Sequence, residues 1–265
     1  LWIVKIDATG NITWQNAIGG NGSDYLGSIY PTADGGYIVG AYSFSGISGD
    51  KTEAVVGFSA DYWILKLNSS GNIVWQNVIG GTQNDYLNNV EPTADGGYIL
   101  GGTSFSDSTA DKSENKNGAQ DFWIVKTDAS GNIVWENTIG GDAYDYLHII
   151  HQTPDGGYIA GGYSDSGLSG DKSEAGQGFI DYWIVKLDAT GNIEWDNTIG
   201  GSGSDNLFDI SLTSDGGYIV AGSSTSGISG DKTEAAVGND YWILKLDGSG
   251  NIEWQNTIGG STEDI

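Results

Sequence analysis

The sequence predicts an all-β protein assembled from four-stranded antiparallel units of about 60 residues, and three recurring phrases carry that reading. Trp-Ile-(Val/Leu)-Lys begins at Trp2, Trp63, Trp123, Trp183 and Trp242, at intervals of 61, 60, 60 and 59 residues. Asp-Gly-Gly-Tyr-Ile begins at Asp34, Asp95, Asp155 and Asp215, and Ile-Gly-Gly begins at Ile18, Ile79, Ile139, Ile199 and Ile258. Each interval holds four short strands, the blade of a β-propeller. The interval exceeds the roughly 40–45 residues of a WD40 unit and the roughly 50 of a kelch unit. An open β-repeat solenoid is the alternative, because stacked repeats need not close into a ring.

One unit shows each element in turn. Asp85 to Thr93 reads as a first strand, a, and Ala94-Asp95-Gly96-Gly97 as a tight turn with glycines available for positive φ. Tyr98 to Ser104 is strand b. A long loop from Phe105 to Gln120 carries Asp111-Lys112-Ser113-Glu114. Phe122 to Asp128 is strand c, and Asp128-Ala129-Ser130-Gly131 has the Asp and Gly that a type I turn prefers. Ile133 to Ile139 is strand d, ended by Gly140-Gly141. β-Branched and aromatic residues fill the strands, and Gly, Asp, Asn and Ser fill the turns.

Strand d also predicts how units pack. Ile73, Trp75, Asn77 and Ile79 share one face by the period of two, and Val74, Gln76 and Val78 share the other. The first face always carries Trp (Trp14, Trp75, Trp135, Trp195, Trp254) and Asn (Asn16, Asn77, Asn137, Asn197, Asn256), while the second varies. A side chain repeated on an alternating face is packing, so the Trp face is expected to lie against a neighbouring unit. The repeated Asn is expected to satisfy a backbone group there, and the variable face to be wet.

Composition removes several functional classes. The chain has 265 residues and a net charge of −25, with 10 Lys and no Arg. Phosphate backbones need basic patches, so no nucleic-acid partner is expected. No stretch of about 18 apolar residues is present, so no membrane insertion is expected. Ten Trp and 14 Tyr argue against disorder. Cys is absent and so is Met. The chain also starts and stops within a unit, so the native protein is expected to continue.

The string Asp-Tyr-Trp-Ile-Val-Lys-Leu-Asp-Ala-Thr-Gly-Asn-Ile at 181–193, with Trp195, Asn197 and Ile199-Gly200-Gly201, resembles a β-propeller repeat of bacterial secreted proteins. Asp215 to Ile219 and Ser229-Gly230-Asp231-Lys232-Thr233-Glu234 are similar to surface proteins of Bacteroidetes that leave by type IX secretion. The resemblance covers essentially the whole chain. It implies fold and export to the outer surface or medium, and carries over no catalytic residue. It also implies that strand a is innermost and strand d outermost. On that register 1–20 is an outer hairpin, 21–81, 82–141, 142–201 and 202–260 are blades, and 261–265 open another, with Asp264 in phase. Flanking sequence or another copy is expected to complete the ring.

Three constellations are candidate sites. The acidic b–c loops offer Asp50 and Glu53, Asp111 and Glu114, Asp171 and Glu174, Asp231 and Glu234. Oxygen donors of this kind suit calcium, the one cofactor considered. The spacing is not that of an EF-hand, and the loop Lys opposes a cation, so an internal Asp–Lys or Glu–Lys pair is the alternative. Strand a varies from unit to unit, and Tyr30, Asn89, Glu91, His151 and Asp209 are candidate ligand residues on a channel-facing strand. His148 and His151 lie three apart in one strand, so they point to opposite faces and suit shared metal ligation poorly. There is no Gly-x-Ser-x-Gly elbow, Walker loop or His–Glu zinc motif, and no enzyme activity is expected. The expected function is non-catalytic binding or adhesion to a protein or glycan at the cell surface. A structural spacer in a large exported protein is the alternative, and a glycan-active enzyme a more remote one.

Overall fold

The computed structural model describes residues 1–262 and 264, and contains 18 strands and no helix among them. The first hairpin joins β1 (Trp2–Ile6) and β2 (Ile12–Ala17). Four sheets follow, each four strands in sequence order and antiparallel where the register is given. They are β3 (Asp24–Pro31), β4 (Tyr37–Ser43), β5 (Asp61–Leu67) and β6 (Ile73–Ile79); then β7 (Asp85–Pro92), β8 (Tyr98–Ser104), β9 (Asp121–Thr127) and β10 (Ile133–Ile139). The third is β11 (Asp145–Gln152), β12 (Tyr158–Ser164), β13 (Asp181–Leu187) and β14 (Ile193–Ile199). The fourth is β15 (Asp205–Leu212), β16 (Tyr218–Ser224), β17 (Asp240–Leu246) and β18 (Ile252–Ile258). The protein is therefore an all-β repeat of four-stranded blades, consistent with a propeller-like or open β-repeat fold.

Strands b and d fall where the sequence places them, and strands a and c shift by one residue for reasons visible in the turns. Thr93 leaves the ladder because its N–H donates to Gly97 O at 2.9 Å and its carbonyl accepts from Gly96. Asp128 leaves strand c because its N–H donates to Asn132 O, and its Oδ1 accepts the N–H groups of Ser130 and Asn132 at 2.8 and 2.9 Å. This is an Asx turn closed by Gly131 at φ 82°.

The chain forms two compact units, residues 1–115 with 124–136 and residues 116–123 with 137–265. In the first, Ile3, Ile18, Val39, Ala41, Trp63, Leu65 and Leu67 form one apolar cluster joining the first hairpin to the first blade. In the second, Tyr182, Ile184, Leu207, Ile210, Val220, Trp242 and Leu244 belong to one cluster joining two blades. Tyr182 packs on Trp242 and donates its hydroxyl to the Trp242 carbonyl at 3.1 Å.

The invariant face of strand d grips the c–d turn of the following repeat, as its periodicity predicts. Asn16, Asn77, Asn137 and Asn197 donate Nδ2 to the carbonyls of Gly71, Gly131, Gly191 and Gly250 at 2.6 to 2.8 Å. Trp14 lies against the same turn, its Nε1 donating to Ser69 O at 3.0 Å. Gly71 is glycine for two reasons. Its φ is +80°, and a Cβ there would sit 2.8 Å from the Trp14 ring.

The opposite face of strand d differs from the expectation of a wholly wet surface. Val74 and Val134 are exposed, but the residues between them and the strand end have work. Gln76 Oε1, Asp196 Oδ2 and Gln255 Oε1 accept Nε1 of the buried Trp63, Trp183 and Trp242 at 3.0 to 3.1 Å. The same acceptors take the loop N–H groups of Thr52, Ser173 and Thr233. Gln and Asp differ as side chains yet supply the same oxygen, so the position varies without being idle.

Trp63, Trp123, Trp183 and Trp242 on strand c of the four blades are fully buried, while Trp75, Trp135 and Trp195 on strand d are only half-buried, so the two indoles should differ in weight. Trp183→Ala should cost about 3 to 5 kcal/mol by denaturant unfolding, and Trp195→Ala clearly less. Asn197→Ala should cost about 1 kcal/mol by removing the donor to Gly250. Asn256→Ala, at an exposed position, should leave the midpoint unchanged.

Of residues 261–265, expected to open another unit, Glu263 and Ile265 lie outside the described residues. Asp264 donates its N–H to Asn239 O at 2.7 Å, as Asp205 does to Ile180 O.

Candidate functional site

The acidic loops are clipped onto the blades by their own carboxylates. Asp50, Asp111, Asp171 and Asp231 accept the backbone N–H of Gly19, Gly80, Gly140 and Gly200 through Oδ2 at 3.1 to 3.2 Å. Glu53, Glu174 and Glu234 accept the N–H of Val78, Thr198 and Thr257 at 2.7 to 3.0 Å, covering the open edge of strand d. The backbone carbonyls of Glu53 and Glu114 also accept Nζ of Lys51 and Lys112, at 3.1 and 2.9 Å. Among the described residues no three His, Asp or Glu side chains converge to hold a metal ion. With these acids engaged by backbone donors, EDTA should leave the melting temperature unchanged. A fall that calcium reverses would show that the loops hold the ion.

Beneath the loops each blade buries a lysine, with two buried aspartates in the second, third and fourth blades and one, Asp61, in the first. Lys51, Lys112, Lys172 and Lys232 are nearly inaccessible, and the ammonium groups of Lys51, Lys172 and Lys232 lie 4.7 to 5.8 Å from the centres of the Trp63, Trp183 and Trp242 rings. Asp85 accepts Ser104 Oγ, Ser106 Oγ and Gly81 N, while Asp61 accepts Val56 N through Oδ2 at 2.5 Å. Burial pushes the Asp61 carboxyl up to about 7 and that of Asp85 up to about 6. Burial likewise raises Asp145 and Asp181 and brings Lys51 down to about 8.

The consequence for stability follows from linkage. An acid whose folded pKa is raised binds more protons folded than unfolded, so stability falls as pH rises from the unfolded value near 4 through the folded value. His148 opposes this: burial lowers its pKa from 6.5 to about 4, so the cost of keeping it neutral is lifted as pH rises between those values. Four raised aspartates outweigh one histidine. The melting temperature should therefore decrease between about pH 5 and pH 8, and Asp61→Asn should raise it at pH 8 and flatten the slope.

The variable residues of strand a occupy two environments. Ser28 on β3 reaches the next strand a, its Oγ accepting Val90 N at 2.8 Å. Asn89, the equivalent residue on β7, is 2% exposed, and Ile149 packs on the apolar cluster of the second unit. Tyr30, Glu91 and His151 are half-buried opposite Ile38, Ile99 and Ile159, and Asp209 is exposed opposite Ala221. Tyr30, Asn89 and Glu91 thus lie on two strands of the first unit that touch, β3 and β7, and His151 and Asp209 on two of the second, β11 and β15.

A more aromatic surface lies at the start of strand a and the end of strand b. Tyr25 stacks on Tyr42 with ring centres 4.9 Å apart, and Phe44 stands edge-on to both. Tyr42 meets Tyr86 of the next blade at 4.9 Å, and Tyr86 meets Phe105 at 5.9 Å. Tyr25 is 48% and Phe44 39% exposed. In the second unit Tyr146 stacks on Tyr163 at 5.2 Å, and His148 contacts both as well as Phe208. A β-bulge between Leu147 and Ile149 brings His148 into this group. Beside the band lie two hollows, one of about 450 Å³ lined by Phe58, Asn84 and Phe105 among others, and one of about 200 Å³ lined by Gln120, Tyr144, Tyr163, Asp165 and Ile180.

Sequence reasoning weighed strand a but passed over the end of strand b. A signal was present there. Tyr42, Thr103, Tyr163 and Ser223 are equivalent, as are Phe44, Phe105, Asp165 and Thr225, and they differ within a repeat that otherwise barely changes.

No protein-family model matches the chain, and no curated protein matches its sequence. Among solved structures it is similar to a protein of unknown function from Bacteroides caccae, at 11% identity and TM-score 0.34, over 98% of this chain and 96% of that one. It is also similar to a mutant apocarotenoid oxygenase from Synechocystis, at 10% identity and TM-score 0.39, over 89% and 70%.

Proposed function

We propose that this chain is a non-catalytic binding module of the extracellular space or the outer cell surface, which recognises a protein or glycan through its aromatic band. The observation behind this is the band itself: five rings from Tyr25 to Phe105 run across two neighbouring blades with two of them exposed. Exposed aromatic groups on a rigid frame supply contact area at little entropic cost. The repeat's resemblance to Bacteroidetes surface proteins supports export, with type IX secretion as the route, and adhesion as the setting. The recurring acids are spent on clipping loops, which favours binding over chemistry. On this reading protein contacts hold the b–c loops, and calcium there is the one cofactor that a chelator-sensitive melt would bring back.

Binding should be read on glycan and cell-surface protein arrays. Tyr42→Ser and Phe105→Thr install the residues that the fourth blade carries at Ser223 and Thr225, so the fold accommodates them. Each should weaken a positive signal by about tenfold or more, as loss of an aromatic contact does. Signals unchanged by both variants would remove the band from the function.

A further inference from the structure

The hollow between Gln120, Tyr144, Tyr163, Asp165 and Ile180 lies in the second unit and is small. Its volume is about 200 Å³, below the roughly 300–1,000 Å³ that a drug-sized ligand fills, so it suits a single chemical group. Two tyrosine rings and one carboxylate line it, with the Ile180 side chain and the buried Gln120 as the remaining wall. Asp165 is fixed in place, since its Oδ1 accepts Tyr144 N at 2.6 Å and its own N–H donates to Tyr144 O at 3.1 Å. Tyr163 is held by its stack on Tyr146. Tyr144 is 52% exposed, so its ring is open to an incoming group.

The charge distribution indicates which group. Of the 10 lysines, four are buried under the b–c loops. Four more pair with the Asp of the a–b turns, Lys66 with Asp34, Lys126 with Asp95, Lys186 with Asp155 and Lys245 with Asp215, at 2.8 to 3.1 Å. No lysine lines the hollow. On a chain of net charge −25, an anion would meet repulsion there and a cation attraction. Aromatic faces beside a carboxylate are the chemistry that receives alkylammonium groups. The protein already uses it internally, where the ammonium of Lys232 lies 4.7 Å from the centre of the Trp242 ring.

We infer that this hollow is a binding site for an alkylammonium group, presented by a small quaternary amine or by the lysine or methyl-lysine side chain of a partner. The inference rests on the binding-module reading and adds a ligand class to one part of its surface. The other blades do not repeat the site, because the residues equivalent to Tyr144, Tyr163 and Asp165 are Ser23, Tyr42 and Phe44 in the first, Asn84, Thr103 and Phe105 in the second, and Ser204, Ser223 and Thr225 in the fourth.

The test is titration of the full chain with tetramethylammonium, choline, an acetylated trimethyl-lysine amide and the neutral isostere tert-butanol, followed by NMR of the tyrosine rings. The ammonium probes should shift the Tyr144 and Tyr163 signals at millimolar concentration, and tert-butanol at least about tenfold less well. Tighter binding of choline identifies a free amine as the source, and tighter binding of the lysine derivative a protein. The variant Tyr144→Ser/Tyr163→Ser/Asp165→Thr carries the next blade's residues and should melt like the parent but lose the shifts. Equal response to tert-butanol, no response to any ammonium probe, or full response in the variant each overturns the inference. If the probes fail while Tyr42→Ser still abolishes array binding, the ammonium site alone is wrong and the binding module stands.

Discussion

The structure depends on a hydrogen bond made between repeats. An asparagine on strand d of one repeat donates to the carbonyl of a turn glycine in the next. A four-stranded sheet cannot bury both faces alone, so each repeat needs a neighbour at a fixed distance. The Asn–Gly contact sets that distance at one end of the sheet, with Trp14 against the turn showing how the ring fills the space the glycine leaves. The glycine is thereby constrained twice, by positive φ and by the ring pressed on it, which explains why the turn is repeated with so little change.

At the other end of each sheet the chain buries charge. A lysine and its neighbouring aspartates lie under each b–c loop, close enough for their charges to act on one another. Burying charge is costly unless it is paired and hydrogen-bonded, and here hydroxyls such as Ser104 and Ser106 and backbone N–H groups take the carboxylate oxygens. The raised carboxyl pKa values show that compensation is incomplete near neutral pH. The long loop follows from this arrangement, since it must both deliver the lysine inward and place a Glu on the N–H groups of the edge strand.

The fold was legible because its signals repeat. Strands b and d begin and end where Tyr98, Ser104, Ile133 and Ile139 place them, and the Asn contact was readable from alternation alone. What resisted reading was chemistry that one sequence position conceals. Gln76 and Asp196 look like variation on a wet face until the indole of the adjacent strand is seen donating to both kinds of oxygen. His148 and its neighbours were hard to place because a bulge in strand a breaks the period of two, so the facing of residues beyond Leu147 cannot be counted from those before it. The aromatic band was visible only in part, because Tyr25 and Tyr42 are far apart in sequence and meet through cross-strand register.

The division between repeated and changing residues gives the band its meaning. Positions that hold the frame, such as Asn77, Trp75, Asp85 and Lys112, scarcely vary because each has a partner in an identical repeat. A residue at the open end of strands a and b, such as Tyr42, packs on rings that themselves change between blades, so the frame constrains its identity less. Tyr, Thr, Tyr and Ser at one such position, and Phe, Phe, Asp and Thr at another, give each blade a different surface on one backbone. Because eight of the 10 lysines are held in the frame, buried beneath loops or paired at turns, these surfaces present rings, amides and carboxylates with little positive charge among them. Rings and carboxylates with little positive charge beside them attract cations and repel anions by charge alone.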